Sequence, residues 1–182
     1  MSKTWLLPNA TRDKQSVTSD WAMAGVTMID GVQLREIKNV PKNTGSLVEI
    51  VRTEWLGDHT TIAQVFQVTL LPQAISAWHA HEKTRDRLFV NRGLIKIVLY
   101  DAREGSPTFG EINEFKLGSI RPALLVVPPK IWHGVQNISE EPSTILNLVD
   151  RAYSYENPDH WRVDVNSPEI PYRFQSSVQK IP

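Results

Sequence analysis

Short apolar runs cut by turn residues organise this chain, and they leave it few folds to adopt. "LIKIVLYD" at 94–101 alternates apolar and polar residues, and "TIAQVFQVTLL" at 61–71 alternates over much of its length before stopping at Pro72. "LVEIV" at 47–51 follows the turn "KNTGS", and "RLFV" at 87–90 ends in the glycine turn "NRG". "EINEFKL" at 111–117, "ALLVVP" at 123–128 and "STILNLV" at 143–149 continue the series. Alternation places successive side chains on opposite faces of a strand, one toward a core and one toward water. No long stretch carries the 3.6-residue apolar period of an amphipathic helix. Many short strands at near-regular spacing predict an all-β sandwich or barrel. One domain over 1–182 suffices, with the barrel core at about 45–150 and irregular extensions at both ends. The segment 166–182 reads as a tail packed on the barrel through Tyr172 and Phe174.

Charge and composition exclude several functions. Twenty basic and twenty acidic side chains give a net charge of zero, so the basic excess that neutralises phosphates in a nucleic-acid binder is absent. The same balance speaks against a polybasic membrane anchor. The chain has no cysteine, which removes disulfides and thiolate zinc sites. "ALLVV" is far below the ~20 apolar residues needed to span a bilayer. The N-terminal apolar patch is cut by Pro8, which leaves no signal-peptide core. The expectation is a soluble, cytoplasmic protein with no nucleic-acid or membrane partner.

Chemistry concentrates in the histidines, of which there are five. In "SAWHAHEKTRDRLFVNRG", His79 and His81 stand two apart, so an extended backbone points both the same way. Asp86 follows, then Gly93. Later, "PPKIWHGVQN" supplies Pro128, His133 and Asn137. This pair of segments resembles the two signature motifs of the cupin superfamily, which are small jelly-roll barrels. Asp86 stands where most metal cupins have glutamate, and Lys130 where a glycine is usual. The resemblance implies a cupin jelly roll (a double-stranded β-helix). Three imidazoles and a carboxylate inside such a barrel, from His79, His81, Asp86 and His133, suit a divalent metal such as Mn, Fe, Ni or Zn. The plainer alternative has His81 facing solvent and His133 packing beside Trp132.

Longer segments narrow the resemblance. "GLIKIVLYDAREGSPTFGEINEFKLG", "ALLVVPPKIWHGVQNISEEPSTILNL" and "YSYENPDHWRVDVNSPEIPYRF" resemble the dTDP-4-dehydrorhamnose 3,5-epimerase family, with "DAREGSPTFG" at 101–110 the most specific block. The family implies a homodimer, a nucleotide-linked 4-keto-sugar as substrate, and proton abstraction beside the ketone with no cofactor. Such chemistry needs a base, a group that steadies the enolate oxygen, and an acid on the opposite face. The resemblance assigns the base to His79, its orienting carboxylate to Asp164 and a pocket-lining role to His133.

Three positions depart from the family pattern. Asp86 occupies the place of its lysine, Asn147 that of its proton-returning tyrosine, and Ser76 that of a phosphate-holding arginine. An amide cannot serve as a general acid near neutral pH. These changes imply a reaction altered from the usual double epimerisation, with His81, Asp86, Asn147, Trp78 and Arg92 as candidate substrate contacts. Tyr153 or Tyr155 is a candidate replacement acid. Arg85, Arg87, Arg92 and Arg103 are candidates for a pyrophosphate, although arginines of this kind are more often solvated or paired with acids. Trp78 and Trp132 are candidates for stacking on a sugar or base, or for ordinary core packing. His59 and His160 fall in loops and carry no assigned role. Two other readings stay open: a metal-dependent cupin oxygenase, isomerase or lyase, and a carbohydrate-binding cupin without catalysis.

Overall fold

The computed structural model describes residues 5–19 and 23–174. Within them helix is confined to one turn, Thr53–Trp55. The strands in chain order are β1 (Gln33–Glu36), β2 (Asn39–Lys42), β3 (Gly45–Val48), β4 (Gln64–Leu70), β5 (Ile75–Ala80) and β6 (Asp86–Arg92). They continue with β7 (Leu94–Tyr100), β8 (Ile112–Gly118), β9 (Ala123–Val127), β10 (Trp132–Asn137), β11 (Ser143–Val149) and β12 (Trp161–Arg162). Two five-stranded antiparallel sheets result, ordered β1-β9-β6-β11-β4 and β12-β5-β10-β7-β8, beside a β2-β3 hairpin. The expected all-β jelly roll is what the chain forms. Among the described residues no helix is long and apolar enough to cross a membrane.

Alternation along the strands sorts side chains into three layers. Leu88, Val90, Leu125, Val127 and Ile145 of the first sheet meet Ile95, Ile97, Leu99, Phe115 and Leu117 of the second between the sheets. Phe89, Leu124 and Leu148 point the other way and are covered by Ile37, Ile50, Val51 and Ile62. Trp78, Val98 and Tyr100 leave the outer face of the second sheet and are covered by Ile170, Tyr172 and Phe174. The unbroken apolar run of β9 follows from this layering, because both of its faces are buried.

Several boundaries differ from the sequence reading. The strand expected at 47–51 ends at Val48, because Ile50 and Val51 turn from the ladder to cover the first sheet. β1 pairs with β9 inside the segment expected to be irregular. The C-terminal tail packs as expected through Tyr172 and Phe174, and its residues 175–182 lie outside the described residues. Gly93 of the first histidine motif has φ +79°, and an added Cβ would come within 1.9 Å of Ser143 Oγ. Lys130 also adopts a positive φ, +67°, a conformation that suits the glycine usual at that motif position.

Candidate active site

The site is assembled by pairing across both sheets. β5 and β10 run antiparallel with His79 directly opposite His133. The register then shifts, so that Val135 faces Ser76. The shift lets Ser76, His79 and His81 all reach one cavity and turns Trp78 to the other face. Gly134 makes the close approach of β10 to β5 feasible, since a Cβ there would sit 2.4 Å from Ala77 Cβ. Asp86 opens β6 in the opposite sheet and meets the histidines across the barrel interior. Its Oδ2 lies 3.2 Å from His133 Nε2 and 3.4 Å from His81 Nε2. Asn147 of β11 donates from Nδ2 to Asp86 Oδ1 at 2.8 Å and accepts from the Arg87 backbone N–H at 3.2 Å.

A segment beyond the two motifs closes the cluster. His160 brings its ring to 5.2 Å from that of His79 and 5.0 Å from that of His81. Asp159, beside it, is a clamp. Its carboxylate accepts from the backbone N–H groups of Glu82, Lys83 and Thr84 and from the Thr84 hydroxyl, at 2.7–2.9 Å. Its carbonyl accepts a short bond from His81 Nδ1. His133 Nδ1 is likewise held, by the Ile131 carbonyl at 3.0 Å. The rings of His79 and His133 approach to 4.0 Å. Four imidazoles and one carboxylate thus line the deep wall of a cavity of about 460 Å³.

Electrostatics assign these groups different states. Burial, reinforced by His133, His160, His81 and Arg162, holds the His79 pKa well below the ordinary histidine value. His79 is therefore a neutral imidazole at pH 7 with a lone pair to offer. Its Nδ1 is buried without a hydrogen-bond partner, as is His160 Nε2. Burial and the neighbouring His81 and Arg162 also lower the pKa of His160. Burial alone would raise the Asp86 pKa. The bond and charge of His133, the charge of His81 and the Asn147 amide outweigh it, and Asp86 stays ionised.

His79, His81, Asp86, His133 and Asn147, all singled out in the sequence, converge here. Trp78, Arg92 and Asp164 do not. Trp78 is fully buried on the outer face of the sheet, edge-on to Tyr172, because adjacent strand residues face opposite ways. Arg92 ends β6 exposed to solvent, beyond the cavity lining. Asp164 is exposed, and its Oδ1 accepts from the Asn166 N–H in a tight turn at 2.8 Å. The carboxylate that reaches the histidines is Asp86.

The candidate phosphate-binding arginines also have other work. Arg87 is fully buried and donates to the carbonyls of His59, Thr61 and Leu148, while Arg103 is paired with Asp101. The cations at the cavity are Lys83, Arg151 and Arg162, which sequence reasoning passed over together with His160. Their segments lack periodicity, and the only hint was a histidine beside an aspartate in "NPDHW". Tyr153 lines the cavity and Tyr155 does not. For a metal, His79, His81 and His133 each offer a nitrogen, and the three lie within 4.8 Å of one another.

Comparison with known proteins places this geometry in a lineage. The chain is 32% identical over 136 residues to a probable low-salt glycan biosynthesis epimerase of Haloferax volcanii, covering 74% of this chain and 87% of that protein. It is 33% identical over 153 residues to the spore coat polysaccharide biosynthesis protein SpsL of Bacillus subtilis, covering 84% of this chain and all of the relative. The crystal structure of a dTDP sugar isomerase from Desulfovibrio desulfuricans superposes with a TM-score of 0.76 at 26% identity, covering 83% of this chain and 97% of that one. The family model described as dTDP-4-dehydrorhamnose 3,5-epimerase matches residues 26–180. The chain belongs to the dTDP-4-dehydrorhamnose 3,5-epimerase family.

Proposed function

We propose that this protein is an epimerase of a nucleotide-linked 4-keto-sugar, with His79 as the base that removes a proton from a carbon beside the ketone. The observation that carries this reading is the state of His79: an imidazole kept neutral by burial on the wall of a sugar-sized cavity. A ketone acidifies its neighbouring C–H bonds, and a positioned neutral imidazole is a competent base at pH 7. Proton transfer gives an imidazolium on His79 and an enolate on the sugar. The ionised Asp86, bonded to His133 beside His79, is the negative charge nearest the new imidazolium in the cluster. Tyr153, on the cavity wall, is the phenol available to return a proton to the opposite face. Solvent then reprotonates Tyr153 and takes the proton from His79. Lys83, Arg151 and Arg162 suit the nucleotide's phosphates.

Asn147 argues for a reaction altered from double epimerisation. Its amide is committed to Asp86 and to the Arg87 N–H, and it has no acidic proton to give. The same reading carries the cytoplasmic location and the homodimer. The dimer is supported by the edge strand β4, whose Val65, Phe66 and Val68 are exposed, because a bare apolar strand edge favours pairing with another chain. Incubation with synthetic dTDP-4-keto-sugars in deuterium oxide tests the activity. Deuterium entering a carbon beside the ketone supports it. Tight binding of the nucleotide sugar without exchange would instead leave a carbohydrate-binding protein.

A further inference from the structure

A histidine base needs a partner behind it, and His79 lacks the expected one. A ring that takes a proton at one nitrogen carries its own proton on the other, and that N–H becomes a stronger donor once the ring is charged. In His79 the nitrogen enclosed without a partner is Nδ1, which leaves Nε2 to the cavity. The carboxylate expected to hold Nδ1–H, Asp164, is exposed and bonded within its own turn. The neighbouring rings narrow the choice of another acceptor to one. His81 gives Nδ1 to the Asp159 carbonyl and turns Nε2 to Asp86, 3.4 Å away. His133 gives Nδ1 to the Ile131 carbonyl and turns Nε2 to Asp86, 3.2 Å away. Both of those rings are committed at both nitrogens. His160 is not, because its Nε2 is enclosed without a partner, like His79 Nδ1.

We propose that His160 is the positioning residue of the base: its Nε2 accepts the Nδ1 proton of His79 as His79 takes a proton from the sugar. The inference deepens the epimerase reading and rests on it. The two ring centres are 5.2 Å apart, and an N–H···N bond of about 2.9–3.0 Å between two imidazoles sets their centres about 5 Å apart. A small turn of either ring therefore joins the two nitrogens. The backbone that carries His160 is anchored. Its own N–H donates to the Pro158 carbonyl at 3.0 Å, and the adjacent Asp159 carboxylate accepts four bonds from residues 82–84. Before the step His79 carries its proton on Nδ1 and a lone pair on Nε2. That lone pair takes the proton from the carbon beside the ketone, the C–H electron pair passes into the enolate, and the ring becomes an imidazolium. The Nδ1–H···Nε2 bond then joins a charged donor to a neutral acceptor and spreads the charge over two rings. Burial, with His81 and Arg162 nearby, lowers the His160 pKa and so keeps a lone pair on its ring. A contact made only in the charged state speeds the step without tightening substrate binding.

The test is deuterium entry from solvent into a dTDP-4-keto-sugar, measured against substrate concentration for wild type, His160→Leu and His160→Gln. His160→Leu should lower kcat by about 10- to 100-fold, the worth of one hydrogen bond to a charged group, and leave KM unchanged. His160→Gln, whose amide oxygen can accept from the same place, should restore most of the loss. An unchanged kcat in His160→Leu overturns the proposal, as does a loss that His160→Gln shares in full or one confined to KM. A wild-type chain that exchanges nothing removes the epimerase reading and this inference with it. A wild-type chain that exchanges no faster than His160→Leu removes this inference alone. Should His160→Leu fail to fold, nitrogen nuclear magnetic resonance of the wild-type rings decides. Scalar coupling between His79 Nδ1 and His160 Nε2, once the pair has gained one proton, supports the contact, and its absence rejects it.

Discussion

Two buried carboxylates sit in this barrel in opposite circumstances. Asp101, in the loop after β7, is fully enclosed and completely answered. Arg103 donates to it from Nε, Nη2 and its backbone N–H at 2.8, 2.9 and 3.0 Å, Ser106 at 2.6 Å and Thr108 at 2.7 Å. These bonds hold it ionised, well below the usual carboxylate range despite burial. The same network ties down the N-terminal segment, through Arg103 Nη2 to the Asp30 carbonyl and the Asp30 N–H to Thr108 Oγ1. Asp86 is as deeply buried, yet fewer groups answer it: the Asn147 amide at 2.8 Å and the imidazoles beside it. Those imidazoles stand at 3.2 and 3.4 Å, and a cavity opens in front of them. Satisfied polar networks specify a structure, and groups left partly answered are where chemistry happens. The block "DAREGSPTFG", the most family-specific stretch of the sequence, is thus an architectural knot and not part of the reaction.

That contrast can be broken by experiment. The largest effect belongs to His79. His79→Gln should slow deuterium entry by about 10²- to 10⁴-fold and leave the melting temperature nearly unchanged, because Nδ1 has no partner to lose. A drop in stability with exchange intact would place His79 with the architecture. Next, Asp101→Asn should cost about 3–5 kcal/mol, read by denaturant or thermal unfolding, because it leaves the Arg103 guanidinium unpaired. Asp86→Asn should cost about 1 kcal/mol or less while slowing exchange. Equal losses of stability in the two variants would erase the distinction.

Gly134→Ala tests the strand contact beneath the site. Its Cβ would press on Ala77 Cβ and on Phe174 at 2.9 Å, an overpacking that costs about 1–3 kcal/mol and shifts His79 with its strand. The smallest effect is acid sensitivity of the clamp. Burial opposes ionisation of Asp159, but the N–H groups of Lys83, Glu82 and Thr84 and the Thr84 hydroxyl bring its pKa from the ordinary 3.8 to about 2. A depressed folded-state pKa gives stability that is complete above the unfolded value and is lost as pH falls toward the folded one. Nuclear magnetic resonance of the His81 and His160 rings should show the 82–84 and 157–160 segments loosening between about pH 4 and pH 2, and Asp159→Asn should remove that step.

The legible parts of this protein were those that obey a period. β7, β8 and β11 were read from alternation, and β9 from its doubly covered apolar run. The spacing of His79 and His81 together with the second motif placed three imidazoles and Asp86 on one wall. What escaped was set by contacts between segments with no period of their own. Trp78 was open to stacking on a ligand or to core packing, and strand pleat with the register shift beside Gly134 turns it into the outer layer of the core. Arg87 looked like a surface cation, yet the 59–61 loop folds over it and supplies carbonyls. Asp164 was expected beside His79, and its own turn claims it. His160 reaches the cavity only because Asp159, six strands later, caps the loop after β5. No local pattern announces such a clamp.

Solvent deuterium incorporation into a dTDP-4-keto-sugar, followed by mass spectrometry in wild type and His79→Gln, speaks most directly to the role of His79. The prediction is label at a carbon flanking the ketone with the wild-type chain and close to none with the variant. Label arriving equally fast with both would mean that the buried neutral imidazole is not the base.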